Sequence, residues 1–234
     1  MAQDWIQMGR CERVLIVAAD DITSDSTIDW FASGFVASGV AATDARVEDA
    51  AIPFDKRRHG MIVGMGGASI VVESKEIAQK RGLNPIAEVL GTTFNNSAFH
   101  GTRLDISHIK GLMENLIADC EKKWGINRFD IAPNTVFVSH ETYTPARGGS
   151  AAAEVEALKH VFKDKANDIV IANTKGFTGH SMAVGLEDVV AMKILETGIV
   201  PPVANFKVID PDLGPLNLSK GGQYPIYYKS NKAY

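Results

Sequence analysis

Cysteine is scarce in this 234-residue chain, which contains only Cys11 and Cys120. Two cysteines so far apart in sequence form neither a disulfide framework nor a metal-ligand cluster of recognisable spacing, and this usage is typical of a reducing compartment. Long apolar runs are also absent, because none approaches the roughly 20 residues that a membrane span requires. The first residues are too polar for a secretory signal. We therefore expect a cytoplasmic protein that does not bind a membrane.

Excess charge of one sign is missing as well. The chain has 24 basic and 28 acidic residues, a formal net charge of -4 and no long run of either sign. A nucleic-acid-binding protein is expected to carry a basic patch or stripe, so this composition argues against nucleic acid as a partner. The hydrophobic content of 45% is ordinary for a globular protein with a core. Since no Pro/Gly/Ser-rich linker divides the chain, we expect one domain.

The first half of the sequence predicts both helices and strands. Its start has the apolar spacing of the end of a helix, which is followed by Gly9. The continuous apolar run that comes next is typical of a buried strand. We expect helices over 25–39 and 73–82, a buried strand over 14–19, two strands or one bent pair over 53–74, and a strand over 85–94.

The second half alternates strands with helices. Its clearest helix follows residue 105, with Ser107 as N-cap and Gly125 as the stop. After it we expect strands over 134–144 and 168–175 and helices over 150–162 and 186–198. Such alternation predicts parallel strands covered by helices, with functional groups at the carboxyl ends of the strands.

Two histidines occupy equivalent places in this pattern. His140 and His180 each follow a predicted strand, so both imidazoles are expected at one edge of the sheet. Neutral histidine donates a hydrogen bond and stabilises developing negative charge near pH 7. Lys175 adds positive charge, and Glu187 is available as its partner. A buried lysine and carboxylate hold one another ionised and set the field around a histidine.

Each of these residues also has a plainer interpretation. A single histidine after a strand is usually a hydrogen-bonded turn residue, and only the combination with a second histidine and the Lys/Glu pair favours a site. The charge run 55–59 is more often a solvated surface than an anion site, and the glycines of 64–69 lack the setting of a phosphate loop. No metal site is expected, because neither histidine has a ligand partner at short spacing. We interpret the remaining histidines as surface or capping residues: His59, His100, His108 and His160.

Several segments resemble motifs of one enzyme family. Residues 53–74, "PFDKRRHGMIVGMGGASIVVES", resemble Pro-Phe-Asp-x-x-Arg-x-Gly-Phe-x-x-Gly-Glu-Gly-Ala, "HETYT" (140–144) stands where the family has His-Gly-Thr-Gly-Thr, and "KGFTGH" (175–180) matches Lys-x-x-x-Gly-His. Residues 153–162 and 198–218 also read like that family's segments. The match is collinear over nearly the whole chain. The sequence thus resembles the β-ketoacyl synthases, condensing enzymes whose fold is the thiolase-like α/β/α/β/α sandwich.

This resemblance implies roles and partners. By similarity, His140 and His180 would be the catalytic histidines that assist decarboxylation of malonyl and stabilise the thioester oxyanion, with Lys175 as the family lysine and Glu187 as its acidic partner. The implied reaction is decarboxylative condensation of a cysteine-bound acyl group with malonyl carried on an acyl carrier protein, in fatty-acid or polyketide synthesis. The resemblance implies no cofactor, and a homodimer for the complete protein.

Departures from the family pattern limit the expectation. The family nucleophile is a cysteine at a helix N-terminus before the strand that 13–20 resembles, whereas Cys11 is expected in a turn past that helix. The sequence ends at residue 234, where the family would continue into a Gly-Phe-Gly-Gly loop. We therefore expect an incomplete sandwich, with 1–75 as the end of the N-terminal half and 76–234 as most of the C-terminal half. The chain alone is then expected to lack condensation activity and to associate through unpaired edges. The alternatives are a ketosynthase-like partner without a nucleophile and a malonyl decarboxylase.

Two further departures concern loops. Glu141 and Tyr143 stand where the family has glycines, which predicts an altered loop around His140. The spacer between His180 and Glu187 is shorter than in the family by about two residues, which predicts a tighter loop before the acid.

Overall fold

A computed structural model describes residues 1–99, 104–144, 149–181, 185–205 and 207–231. The strands are β1 Arg13–Asp20, β2 Gly66–Glu73, β3 Thr135–Val138, β4 Val170–Ala172, β5 Ile199–Val200, β6 Gly222–Gln223 and β7 Tyr228–Asn231. The α-helices are α1 Ala2–Gln7, α2 Ile28–Ala37, α3 Val47–Ala50, α4 Lys75–Lys80, α5 Ile106–Trp124, α6 Arg128–Ile131, α7 Gly149–Phe162, α8 Lys175–Thr178 and α9 Leu186–Thr197. None of the helices in these ranges is long and apolar enough to cross a membrane.

A three-stranded parallel sheet of order β4-β3-β7 forms the centre. All four residues of β3 and all three of β4 are buried, which explains their continuous apolar sequence. Alternate side chains face opposite sides of the sheet, so Phe137 and Ile171 join the core with α5 and α7, whereas Val138 and Ala172 pack against α9. The predicted parallel strands with helices on both faces are confirmed, and β7 is an additional strand that the sequence analysis did not predict.

Beyond α9 lies an antiparallel pair, β1 and β2, whose register runs from Arg13 opposite Glu73 to Asp20 opposite Gly66. Gly185, at the start of α9, fits closely between strand residues Ala18 and Ala68. The layers thus run helix, sheet, helix, sheet, as in the expected sandwich, and α1 contacts both strands of the pair.

The expectation that 14–19 is a buried strand was wrong. It is a strand, but Leu15 and Val17 are exposed, because they lie on the face of the β1/β2 pair that α9 does not cover. Ile16, on the α9 face, is also 41% exposed. Residues 53–74 form one regular strand, β2, instead of two; the rest of the segment makes isolated bridges only.

Residues 85–94 also differ from expectation, because they form no strand. They run irregularly and mostly exposed along α5, where Trp124 Nε1 donates to the carbonyl of Leu90 and Gly91 lies against Cys120. A strand needs a ladder partner, and this segment has a helix beside it instead.

The caps of α5 refine the predicted helix. Asp105, rather than Ser107, is the N-cap, because its carboxylate accepts a hydrogen bond from the His108 amide at 3.0 Å. Gly125 ends the helix in the left-handed conformation, as predicted. In the same way Ser74 caps α4, and Gly82 follows it with a positive φ.

Candidate active site

His140 lies just past the carboxyl end of β3. The His140 amide donates to Glu154 Oε1 at 2.9 Å, and the Ser139 hydroxyl donates to the other oxygen of the same carboxylate at 2.5 Å. Glu154 is fully buried on α7, and burial raises its pKa to about 8. The helix thus fixes the turn that carries His140 through one carboxyl group.

The end of β4 continues into Asn173 and α8. The Asn173 side-chain amide donates to the carbonyls of Ser139 and Glu141, which joins the two strand ends, and its oxygen accepts from the Gly176 amide. Asn173 is fully buried, and these bonds satisfy both ends of its amide. The sheet edge is therefore held together where both histidine segments leave it.

The backbone of His180 is hydrogen-bonded to a neighbouring segment, residues 62–64. Its amide donates to the Ile62 carbonyl at 2.7 Å and its carbonyl accepts from the Gly64 amide at 2.9 Å. At Gly64 and Gly179 the two segments come so close that an added Cβ would lie 2.0 Å from the Thr178 carbonyl oxygen or 2.9 Å from that of Val63. Glycine is needed at both positions for this approach.

The two imidazole rings meet edge to face. Their centroids are 5.2 Å apart and the ring planes make an angle of 84°. Burial, with a smaller contribution from Lys175, lowers the pKa of His180 to about 4, although Asp20 at the end of β1 acts in the opposite direction. His180 is therefore neutral near pH 7, and its buried Nδ1 has no hydrogen-bond partner among the described residues. A neutral ring of this kind has donor capacity left for a ligand.

Lys175 and Glu187 are in contact. The Lys175 ammonium donates to Glu187 Oε1, and the lysine is 2% exposed. Burial lowers the pKa of Lys175 to about 8, while the carboxylates of Glu154 and Glu141 favour the charged form. The pairing expected from sequence is thus present. The loop expected to be tighter before Glu187 includes 182–184, which lie outside the described residues.

Both residues that replace family glycines point inward. Glu141 is fully buried and accepts from the Ser150 hydroxyl and the Ala151 amide. Tyr143 is also buried, adopts φ 51°, and donates its hydroxyl hydrogen bond to the Lys175 carbonyl. These contacts hold the His140 turn against α7 on one side and against Lys175 on the other.

Sequence reasoning missed part of this arrangement. Glu154 and Asn173 were not singled out, although a carboxylate and an amide in otherwise apolar segments were available signals. The interpretation of 55–59 as a solvated charge run was wrong for Asp55 and Arg58, which are 0% and 6% exposed. Asp55 accepts from the Arg57 guanidinium and from backbone amides, so its pKa stays well below the usual value even though burial acts to raise it. His59 is exposed, as predicted.

Neither cysteine lies beside the histidines. Cys11 lies just before the first residue of β1, whereas Asp20, which acts on the pKa of His180, is the last residue of that strand. An eight-residue strand spans roughly 23 Å, so Cys11 lies far from His180. Cys120 is buried inside α5, and burial raises the pKa of its thiol. Among the described residues, no group of three or more His, Cys, Asp or Glu side chains has the arrangement of a metal site.

The layered sheets and the strand ends that carry the histidines define a thiolase-like protein. A structure titled as a type II polyketide synthase acyl-carrier protein in complex with its ketosynthase superposes with a TM-score of 0.80 at 26% identity, over 96% of this chain and 53% of the other. The expected fold class is therefore confirmed.

Comparison of sequences places the chain within that class. The model of the β-ketoacyl synthase C-terminal domain matches residues 86–207, slightly more than half of the chain, so the chain belongs to the β-ketoacyl synthase family. It is 32% identical to nodulation protein E of Rhizobium meliloti over 90% of this chain and 48% of that protein. It is 33% identical to 3-oxoacyl-[acyl-carrier-protein] synthase 2 of Coxiella burnetii over 77% of this chain and 42% of that protein. The chain thus spans about half the length of the curated relatives that it matches.

Proposed function

We propose that this chain carries the histidine-bearing part of the active site of a β-ketoacyl synthase. Such an enzyme condenses an acyl thioester with malonyl on an acyl carrier protein in fatty-acid or polyketide synthesis. The observation that supports the proposal most directly is the pair of imidazoles of His140 and His180, edge to face at 5.2 Å at one end of the parallel sheet. The relatives, which include a synthase of this kind, support the same reaction.

The chemistry follows from the charge that develops. When malonyl loses carbon dioxide, the electron pair of the broken C–C bond moves onto the α-carbon and the thioester oxygen. Donors from His140 and His180 stabilise that oxyanion, because a preorganised donor in a dry pocket is aimed at charge that is absent from the ground state. The carbanion then attacks the carbonyl of the cysteine-bound acyl group, and the thiolate leaves. Lys175, paired with Glu187, keeps a positive charge next to His180 and helps to hold that ring neutral.

The chain alone is proposed not to condense, since Cys11 and Cys120 both lie away from the histidines and a covalent acyl intermediate has no thiol there. Residues 1–75 and 76–234 are proposed as the end of an N-terminal half and most of a C-terminal half. One solved relative is titled as a complex with its acyl-carrier protein, and this supports a carrier protein as the partner. We also propose a homodimer for the complete enzyme and a location in the cytoplasm.

A second candidate is a decarboxylase or partner subunit that works without a nucleophile, and it is supported by His140, His180 and Lys175, which together can decarboxylate a malonyl thioester without a thiol. The genomic sequence before Met1 discriminates between them. A cysteine at a helix start there supports the condensing enzyme, glutamine favours the decarboxylase, and another residue favours the partner.

The direct test assays the complete reading frame with radiolabelled acyl-carrier protein and malonyl-carrier protein. We expect transfer of the label to the protein and a 3-oxoacyl product. His140→Ala and His180→Ala should each lower carbon dioxide release by about 10²- to 10³-fold, the usual effect of losing one oxyanion donor. His160→Ala, an exposed histidine on α7, is the matched control. The proposal would be refuted if the complete protein has the nucleophile but neither takes up the label nor releases carbon dioxide.

A further inference from the structure

Glu141, the residue directly after His140, is hydrogen-bonded through its amide, its carbonyl and its carboxylate oxygen Oε2, whereas the buried Oε1 has no hydrogen-bond partner among the described residues. Its carboxylate accepts from the Ser150 hydroxyl at 2.8 Å and from the Ala151 amide at 2.9 Å, both in the first turn of α7. Its amide donates to the Ser139 hydroxyl, and its carbonyl accepts from the Asn173 side chain. A single buried residue therefore connects β3, the end of β4 and α7.

Burial raises the pKa of Glu141, and a basic group from a distant segment opposes that rise. Arg58 Nε lies 3.3 Å from Glu141 Oε1, and the arginine is 6% exposed. Arg58 Nη1 donates to Asp210 at 2.5 Å and to the Asp55 carbonyl at 3.2 Å, which anchors the guanidinium on its other side. Segment 53–58 is thereby joined to the turn that carries His140.

A buried ion pair is not explained by stability alone, because the free energy of desolvating two charges is often as large as the free energy of their attraction. Apolar residues of similar volume frequently give equal or greater stability at such a place. An ion pair with fixed hydrogen bonds can instead fix the backbone conformation around it. The carboxylate of Glu141 accepts from Ser150 and Ala151 only while the backbone at the adjacent His140 keeps its present conformation.

We infer that Glu141, together with Arg58, positions His140 against His180. Neither residue touches the reacting atoms; both act through the backbone of His140. The catalytic meaning of this inference rests on the proposed function, but the ring geometry that it concerns is measurable without substrate.

The test observes the two rings directly in the 234-residue chain. In Glu141→Gln the carboxylate is lost, and the new NH2 group replaces one of its two oxygens, so that it faces the guanidinium of Arg58 in one orientation and the Ala151 amide in the other. We expect the nuclear Overhauser effect between the His140 and His180 ring protons to fall at least about threefold. We also expect the NMR titration midpoint of His180 to rise from about 4 toward 6.5, because its burial depends on the packed His140 ring. The charged groups that act on His180, Lys175 and Asp20, are unchanged in this variant.

Two further variants separate positioning from folding. Glu156→Gln makes the same chemical change at an exposed glutamate of α7 and should leave both readouts unchanged. The double variant Arg58→Met/Glu141→Met removes both charges of the pair but also the guanidinium partner of Asp210, which is 16% exposed and keeps its bond from the Asp212 amide. We therefore expect it to recover part of the thermal stability lost in Glu141→Gln while the ring contact stays lost.

The outcomes are distinct. Unchanged ring contact and titration in folded Glu141→Gln, or recovery of both in the double variant, would overturn the inference; if Glu141→Gln does not fold, the double variant decides. Absence of malonyl turnover in the complete enzyme would count against the proposed function and leave these readouts intact.

Discussion

His180 shows how burial of a titratable side chain prepares it for a task at neutral pH. Its backbone is hydrogen-bonded to Ile62 and Gly64, its ring meets the ring of His140 edge to face, and the ammonium of Lys175 adds positive charge nearby. Both effects oppose a second proton, so the ring stays neutral far below the pH at which a free histidine protonates. The same arrangement lowers the stability of the folded chain at acidic pH.

The first prediction concerns that loss of stability. The pKa of His180 is about 4 in the folded chain and near 6.5 when unfolded, so the unfolded state binds more protons between these values. Stability should fall as the pH decreases from 6.5 to 4. His180→Asn does not titrate, so between pH 7 and pH 5 it should gain about 2 kcal/mol relative to the original chain. Urea unfolding at the two pH values measures this difference, with His160→Asn as control; equal changes in all three proteins would contradict it.

Glu154 has the opposite pH dependence. Its pKa is raised from the usual value to about 8, so the folded state binds more protons from pH 4.5 to pH 8 and stability falls as pH rises through that window. Glu154→Gln cannot ionise; its oxygen keeps the acceptor for the His140 amide, and its NH2 group takes the place of Oε2 and donates to the Ser139 hydroxyl, which is free to rotate. Its unfolding free energy, measured by urea titration, should therefore gain a few kcal/mol on the original chain between pH 4.5 and pH 8. Glu156→Gln is the control, and parallel pH profiles for Glu154→Gln and the original chain would show that Glu154 is ionised throughout.

At the scale of elements, α5 allows a test of how its start is fixed. Asp105 accepts from the His108 amide, whereas Ser107 lies inside the helix. Asp105→Ala should lower the unfolding free energy by about 1 kcal/mol because one orphan amide loses its partner. Ser107→Ala should change it little or raise it slightly, because alanine favours a helix interior. Thermal or urea unfolding of both variants provides the measurement, and a larger loss in Ser107→Ala would favour the cap expected from sequence.

The elements also show which features a single sequence can predict. β3 and β4 were predicted because a strand buried on both faces is apolar throughout, and α5 because its apolar spacing and Gly125 are local signals. The segment 85–94 was mistaken for a strand because strand formation depends on a partner that local sequence does not specify. β7 escaped prediction for the same reason: Tyr228 and its neighbours are a strand only because β3 lies beside them.

The site was partly predictable for a related reason. His140 and His180 could be paired because carboxyl ends of parallel strands meet at one edge. Lys175 and Glu187 could be paired because a buried lysine is expected to have a carboxylate partner, a pairing that the family motifs also imply. The arrangement that holds them could not be predicted, because Glu141 meets Arg58 across 83 positions of sequence and only the fold brings the two together.

At the scale of the whole molecule, the layers leave one apolar surface uncovered. Leu15 and Val17 lie on the same face of β1, and Val71 stands directly opposite Leu15 on β2. These side chains are 62%, 67% and 54% exposed. The other face of the pair is covered by α9, so burial of this face depends on a further surface.

We expect this face to make the isolated chain self-associate. Sedimentation velocity at increasing concentration should show species larger than 25.2 kDa, and added salt should not dissolve them, because the contact is apolar. Leu15→Lys places a charge at the centre of the face and should shift the distribution toward monomer while the folded stability changes little, since the side chain is already exposed. Glu12→Lys, at an exposed position just before β1, raises the net charge by two units instead of one; it is the control for added positive charge and should leave association unchanged. A monomeric original chain would show that this face stays free in solution. Equal association of both variants would show that the contact between chains lies elsewhere.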